Sequence, residues 1–104
     1  MKNTYSVIFH PEAEKEYLES IIWYENNLIG LGQKFIEDIE KSIERILTLP
    51  LLFPIKKGNL REAVVKKFPY VIVFEIAKTS QEIRILSVYH TSRNPSKKYR
   101  KLKR

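Results

Sequence analysis

The residues best suited to chemistry lie in the last third of the chain. His90 closes the segment Glu82–His90 (EIRILSVYH), and Arg93 and a basic run follow it at once. Strict alternation along that segment predicts Arg84, Leu86, Val88 and His90 on one face, with Ile83, Ile85, Ser87 and Tyr89 on the other. Imidazole can take or donate a proton near neutral pH, and Arg or Lys can stabilise charge growing on phosphoryl oxygens. Together they suit phosphodiester chemistry, with the RNA 2′-hydroxyl as nucleophile. Arg61, Lys66 and Lys67 are expected on a neighbouring strand, where they could join a phosphate-binding patch. A plainer reading stands beside this one. His90 would then satisfy a strand end by hydrogen bonding, Arg84 would pair with Glu75 or Glu82 across strands, and the lysines would form a solvated edge. His10, next to Pro11, reads as a residue at a helix start.

Several chemistries are excluded. The chain has no cysteine, which removes disulfide scaffolds, zinc ribbons and thiol catalysis. Its two histidines show no metal-ligand spacing. No Gly-rich phosphate loop or Gly-x-Ser-x-Gly elbow is present, so neither metal nor cofactor is expected. Apolar runs are too short to span a bilayer and no signal peptide opens the chain, so a cytoplasmic protein without membrane contact is expected. The glutamates of the first helix are read as a solvated face, without the apolar shielding that acid–base carboxylates need.

The formal charge of +7 is unevenly placed. Residues 1–55 carry 5 basic and 9 acidic side chains, residues 56–92 carry 7 and 3, and residues 93–104 carry 7 and none. The first 92 residues are therefore neutral and form the expected single domain, followed by a basic tail at 93–104. Such polarity points to a polyanionic partner, nucleic acid or acidic protein, beside the plainer reading of a solvated basic tail that keeps the protein soluble.

The elements that must position these groups follow from periodicity. Thr4–Phe9 (TYSVIF) reads as a strand. Pro11 opens a helix with apolar positions Ala13, Tyr17, Ile21, Tyr24 and Leu28, and Glu12, Glu14 and Glu16 oppose the positive end of its dipole. Gly30 and Gly32 mark a turn. A second helix carries Leu31, Phe35, Ile39, Ile43, Ile46 and Leu47, and Pro50 and Pro54 end it before an extended connection through Lys56–Asn59. Trp23, Tyr24 and Phe35 are expected in the core. The period then changes to two, giving strands at Leu60–Lys67, Tyr70–Ala77 (a nearly continuous apolar run, hence central) and Glu82–His90. The expected fold is α+β and two-layered, in the order β-α-α-β-β-β, with an N-terminal helical hairpin packed on one face of a small, mainly antiparallel sheet. That leaves the other sheet face, with the ends of the last two strands, as the expected working surface.

The ordered series VIFHPEAEKEY, IIWYE, GLGQKFIEDIEKSIERILTLP, LREAVVKKFPYVIVFEI and IRILSVYHTSRNP resembles the RelE/ParE superfamily of toxins over about residues 5–95. The resemblance implies the toxin of a type II toxin–antitoxin pair, held inactive by a cognate antitoxin. It also implies one of two targets: the translating ribosome, whose mRNA RelE-like toxins cleave without metal, or DNA gyrase, which ParE-like toxins inhibit without being nucleases. Several RNA-cleaving members carry arginine just after the tyrosine of the strand matching Tyr70–Phe74. Here that position is Val71, and KKFPYVIVFEI is closer to ParE-type and plasmid-stabilisation sequences. For a nuclease, the resemblance implies His90 as the proton-transfer group, with Arg61, Lys66, Arg84 and Arg93 binding phosphate or stabilising the transition state. Lys67, Lys97, Lys98, Tyr99 and Arg100 would contact nucleic acid or another target. The alternative is a non-toxic RNA-binding module or an inactive toxin relative.

Overall fold

A computed structural model describes residues 5–92. β1 (Ser6–Phe9) leads into α1 (Pro11–Asn27) and α2 (Leu31–Thr48). A 3₁₀ turn at Pro50–Leu52 then precedes β2 (Ile55–Lys57), β3 (Leu60–Val64), β4 (Tyr70–Ala77) and β5 (Glu82–His90). The five strands form one sheet in the order β1-β5-β4-β3-β2. β1 runs parallel to β5 and all other pairs are antiparallel. The α+β hairpin-on-sheet architecture is as expected, and β4 does lie at the sheet centre. Two details differ. The connection after α2 holds a 3₁₀ turn and a short edge strand, and β3 stops at Val64, leaving Lys66 and Lys67 in the following loop.

The helices start and stop where local chemistry dictates. The His10 imidazole Nδ1 accepts the Glu12 N–H at 3.3 Å and caps α1, with Pro11 in the first turn. Between the helices Gly30 takes φ +92°, in the left-handed region that favours glycine. The Glu25 carboxylate accepts from Gly30 N and Gly32 N, each at 3.0 Å, placing negative charge at the start of α2. Hairpin closure needs the second glycine as well: a Cβ on residue 32 would lie 2.9 Å from Glu25 Oε1 and 3.0 Å from the Ile21 carbonyl.

The core forms between the hairpin and one face of the sheet. Ala13, Phe35, Ile39 and Ile46 from the helices pack with Ile72, Phe74, Ile83, Ile85 and Val88. An aromatic cluster runs through it, with Phe35 centred 5.1 Å from Tyr24, 5.2 Å from Phe68 and 4.8 Å from Tyr70. Burial pushes the Tyr24 hydroxyl up to about 12, with Tyr70 adding to the effect. Tyr17 is likewise pushed up to about 12, first by burial and then by Glu40.

Candidate functional site

β4 and β5 pair in regular register from Tyr70↔His90 to Val73↔Ser87, and again from Phe74↔Ile85 to Ala77↔Glu82. Between these runs β4 advances by one residue and β5 by two, so Leu86 is the extra residue of a β-bulge. A bulge reverses the parity of everything beyond it. His90, opposite Tyr70, therefore faces the helices, while Arg84, opposite Glu75, faces away from them. Their expected placement on one face is corrected: strict alternation fails at Leu86.

Each candidate residue has its own surroundings. The Arg84 guanidinium reaches Glu75 on β4 at 3.5 Å, the cross-strand pair anticipated from the sequence, and Glu82 on its own strand at 3.2 Å. Arg61 donates through Nη1 to the carbonyls of Phe53 (2.7 Å) and Leu51 (3.4 Å), so it ties the 3₁₀ segment to β3. Lys66 and Lys67 occupy an exposed turn whose amides are held from α2. The buried Asp38 carboxylate accepts Lys67 N–H at 2.8 Å and Phe68 N–H at 2.9 Å. That turn, α2 and the 3₁₀ segment border an apolar groove of about 630 Å³, lined by Leu49, Leu52 and Phe53, by the cations Lys41, Arg45, Lys66 and Lys67, and by the carboxylates Asp38 and Glu44. Arg93, Lys97, Lys98, Tyr99 and Arg100 lie outside the described residues.

His90 lines a second hollow, of about 350 Å³, between α1 and the end of β5. Its Nδ1 accepts the Ser92 N–H at 3.1 Å and lies 2.8 Å from the Ser92 hydroxyl, which puts the ring proton on Nε2. The ring stands edge-on to Tyr70, with centroids 5.2 Å apart, and the Tyr70 hydroxyl donates to Ser20 Oγ at 3.0 Å. Glu16, Glu19, Trp23 and Tyr24 complete the wall. The hollow thus opens beside α1 rather than on the helix-free face expected to be the working surface.

Sequence reasoning missed two residues here. Glu16, taken as part of a solvated face, is only 6% exposed, and its Oε1 accepts from Ser87 Oγ (2.9 Å) and Val88 N (3.0 Å). β1 ends opposite Ile85, so Glu16 takes over the edge of β5 where the strand leaves off. The signal lay in its spacing, three residues from Ala13 and four from Ser20, on the buried stripe of α1. Trp23, expected in the core, is 60% exposed and stands at 85° to the Tyr24 ring. One step along the helix from Tyr24 carries it out of the buried stripe. Among the described residues, no group of three or more His, Asp or Glu could hold a metal ion, and no helix is long and apolar enough to cross a membrane.

The family described as the ParE toxin of type II toxin–antitoxin systems, parDE, matches residues 7–95. Comparison with curated proteins finds no match. Among solved structures, a chain of the chromosomal ParDE toxin–antitoxin system from P. aeruginosa aligns with TM-score 0.70 and 17% identity, over 88% of this chain and 100% of that one. A chain of the intact E. coli RelBE toxin–antitoxin complex aligns with TM-score 0.66 and 17% identity, over 86% and 100%. A chain of the RelBE2 complex from Mycobacterium tuberculosis gives 0.58 and 16%, over 83% and 96%. At these identities the structural likeness speaks to the fold, and the family match covers nearly the whole described domain. The chain belongs to the ParE toxin family of type II toxin–antitoxin systems.

Proposed function

We propose that this toxin arrests growth in the cytoplasm by binding a protein target, DNA gyrase, rather than by cutting RNA. The observation that carries this reading is the separation of Arg84 from His90 by the Leu86 bulge. A phosphoryl-transfer site needs its proton donor and its charge-stabilising cations converging on one group. Here the Arg84 guanidinium is engaged by two carboxylates and that of Arg61 by two carbonyls, while His90 shares its hollow with Glu16 and Glu19. Val71, where several RNA-cleaving members of the superfamily carry arginine, supports the same reading.

A cognate antitoxin is the second partner. The groove lined by Leu49, Leu52 and Phe53, where Lys41, Arg45, Lys66 and Lys67 outnumber Asp38 and Glu44, suits an acidic amphipathic segment whose apolar side enters the groove. Two assays decide the target. Purified toxin should inhibit supercoiling by gyrase and leave mRNA intact during active translation, and Arg84→Ala should stay toxic. Codon-phased mRNA cuts, with supercoiling undiminished at saturating toxin, would overturn the proposal in favour of ribosome-dependent cleavage.

A further inference from the structure

The outward side of α1 carries a row of residues that packing within the fold leaves unused. Lys15, Leu18, Ile22 and Glu25 are all exposed, Leu18 at 52% and Ile22 at 59%. They follow one another at steps of three, four and three residues, the spacing of a coiled-coil seam. The buried stripe of Ala13, Glu16, Ser20 and Tyr24 takes the opposite side of the helix. Single exposed apolar residues are common on any surface; here two adjoin on one helix face, with opposite charges at the two ends. The order is cation, apolar, apolar, anion, so the row read backwards is its own complement. Lys15 enters no ion pair among the described residues. The Glu25 carboxylate is held in place by Gly30 N and Gly32 N at 3.0 Å, one on each oxygen, and each oxygen keeps a lone pair for a further donor.

We infer that this row is a docking face for a second copy of the chain, with the two α1 helices antiparallel about a two-fold axis midway between Leu18 and Ile22. In that arrangement Leu18 of each copy meets Ile22 of the other, and Lys15 of each meets Glu25 of the other, so every contact is made twice. A parallel pair would set Lys15 against Lys15 and Glu25 against Glu25, and like charges rule against it. Glu19, on the flank of the row, falls closest to its own counterpart across the axis. That is one exposed like-charge pair against two opposite-charge pairs. With so few side chains on each copy the interface is small, and dissociation on the order of tens of micromolar is expected. No residue of α1 lines the groove beside α2 and the 3₁₀ segment, so each copy keeps its groove for an antitoxin. The face is independent of which target the toxin acts on.

Sedimentation equilibrium of the full chain from about 10 to 300 µM should show a reversible monomer–dimer equilibrium. Lys15→Glu should weaken it about tenfold, and Glu19→Gln should tighten it about twofold to fivefold, both with unchanged circular dichroism. The chain has no cysteine, so a single introduced one reports its neighbours. Glu19→Cys should be joined to a second copy by a short bis-maleimide, whereas Lys78→Cys, in the exposed turn between β4 and β5, should not. A chain that stays monomeric at about 300 µM, a dimer indifferent to Lys15→Glu, or equal cross-linking at residues 19 and 78 would each overturn the assignment. Cross-linking of residue 19 to a co-purified antitoxin rather than to a second copy would overturn it too. None of these outcomes depends on gyrase or ribosome activity, so failure here is distinct from failure of the target proposal.

Discussion

Asp38 holds the loop between β3 and β4 to α2 from a position only 4% exposed. Asp38→Ala removes one carboxylate oxygen that receives two backbone N–H groups, at 2.8 and 2.9 Å, and leaves both donors without their acceptor. Hydrogen bonds to a charged group contribute about 1.5–3 kcal/mol each. Water can reach part of this turn, because Lys66 and Lys67 are exposed, so the lower part of the summed range applies, about 3 kcal/mol. For a domain of this size that lowers the melting temperature by about 12–24 °C. Asp38→Asn keeps an acceptor oxygen but loses the charge, and should cost about 1–2 kcal/mol. Urea and thermal melts measure both variants, and amide exchange should show Lys67 and Phe68 losing protection before the rest of the sheet. An alanine variant within about 0.5 kcal/mol of wild type would refute the reasoning, since the carboxylate would then not be what fixes the turn.

Gly32→Ala forces a methyl group against the Ile21 carbonyl, which is backbone and cannot swing aside, and should cost about 1–3 kcal/mol in a thermal melt. An unchanged melt would show that the helices can separate at no cost. At alkaline pH the unfolded chain releases tyrosine protons near 10, whereas Tyr17 and Tyr24 hold theirs to about 12 in the fold. Their contribution is therefore complete below pH 10 and disappears between pH 10 and 12, on the order of 1 kcal/mol for each once solvent screening is allowed for. Absorbance at 295 nm beside circular dichroism tests this; simple ionisation of every tyrosine near 10 with the fold intact would contradict it. Arg84→Ala should cost under about 1 kcal/mol, because the Arg84 side chain is 47% exposed and its ion pairs are screened by water. A larger loss in a urea melt would mean that those pairs carry more of the sheet than their exposure allows.

Long periodic segments were legible in the sequence: both helices, the central strand Tyr70–Ala77 and the last strand Glu82–His90 all stand close to where their patterns put them. β2 was not, because three exposed residues between a proline and a glycine carry no alternation to read. The bulge was hidden for a different reason. Ile85, Leu86 and Ser87 are all buried, so hydrophobicity does not mark where the count slips, and the register is fixed only by the partner strand. That one residue decides the candidate site: Arg84 and His90, expected on one face by strict alternation, lie on opposite faces of the sheet. Glu16 shows the opposite bias: residue type suggested solvent, and position on the helix decided for the interior.

The mixed connectivity of the sheet has a mechanical consequence. β5 is bonded along one side to β4 and along the other to β1 and the Glu16 carboxylate. A processive unfoldase dragging the chain from beyond Ser92 must therefore slide β5 lengthwise out of a slot, loading two rows of bonds in shear at once. Hauling from the other end meets only β1, four residues long and at the margin of the sheet. Resistance to forced extraction is thus directional, high from one end and low from the other, and the barrier rather than the equilibrium stability sets it.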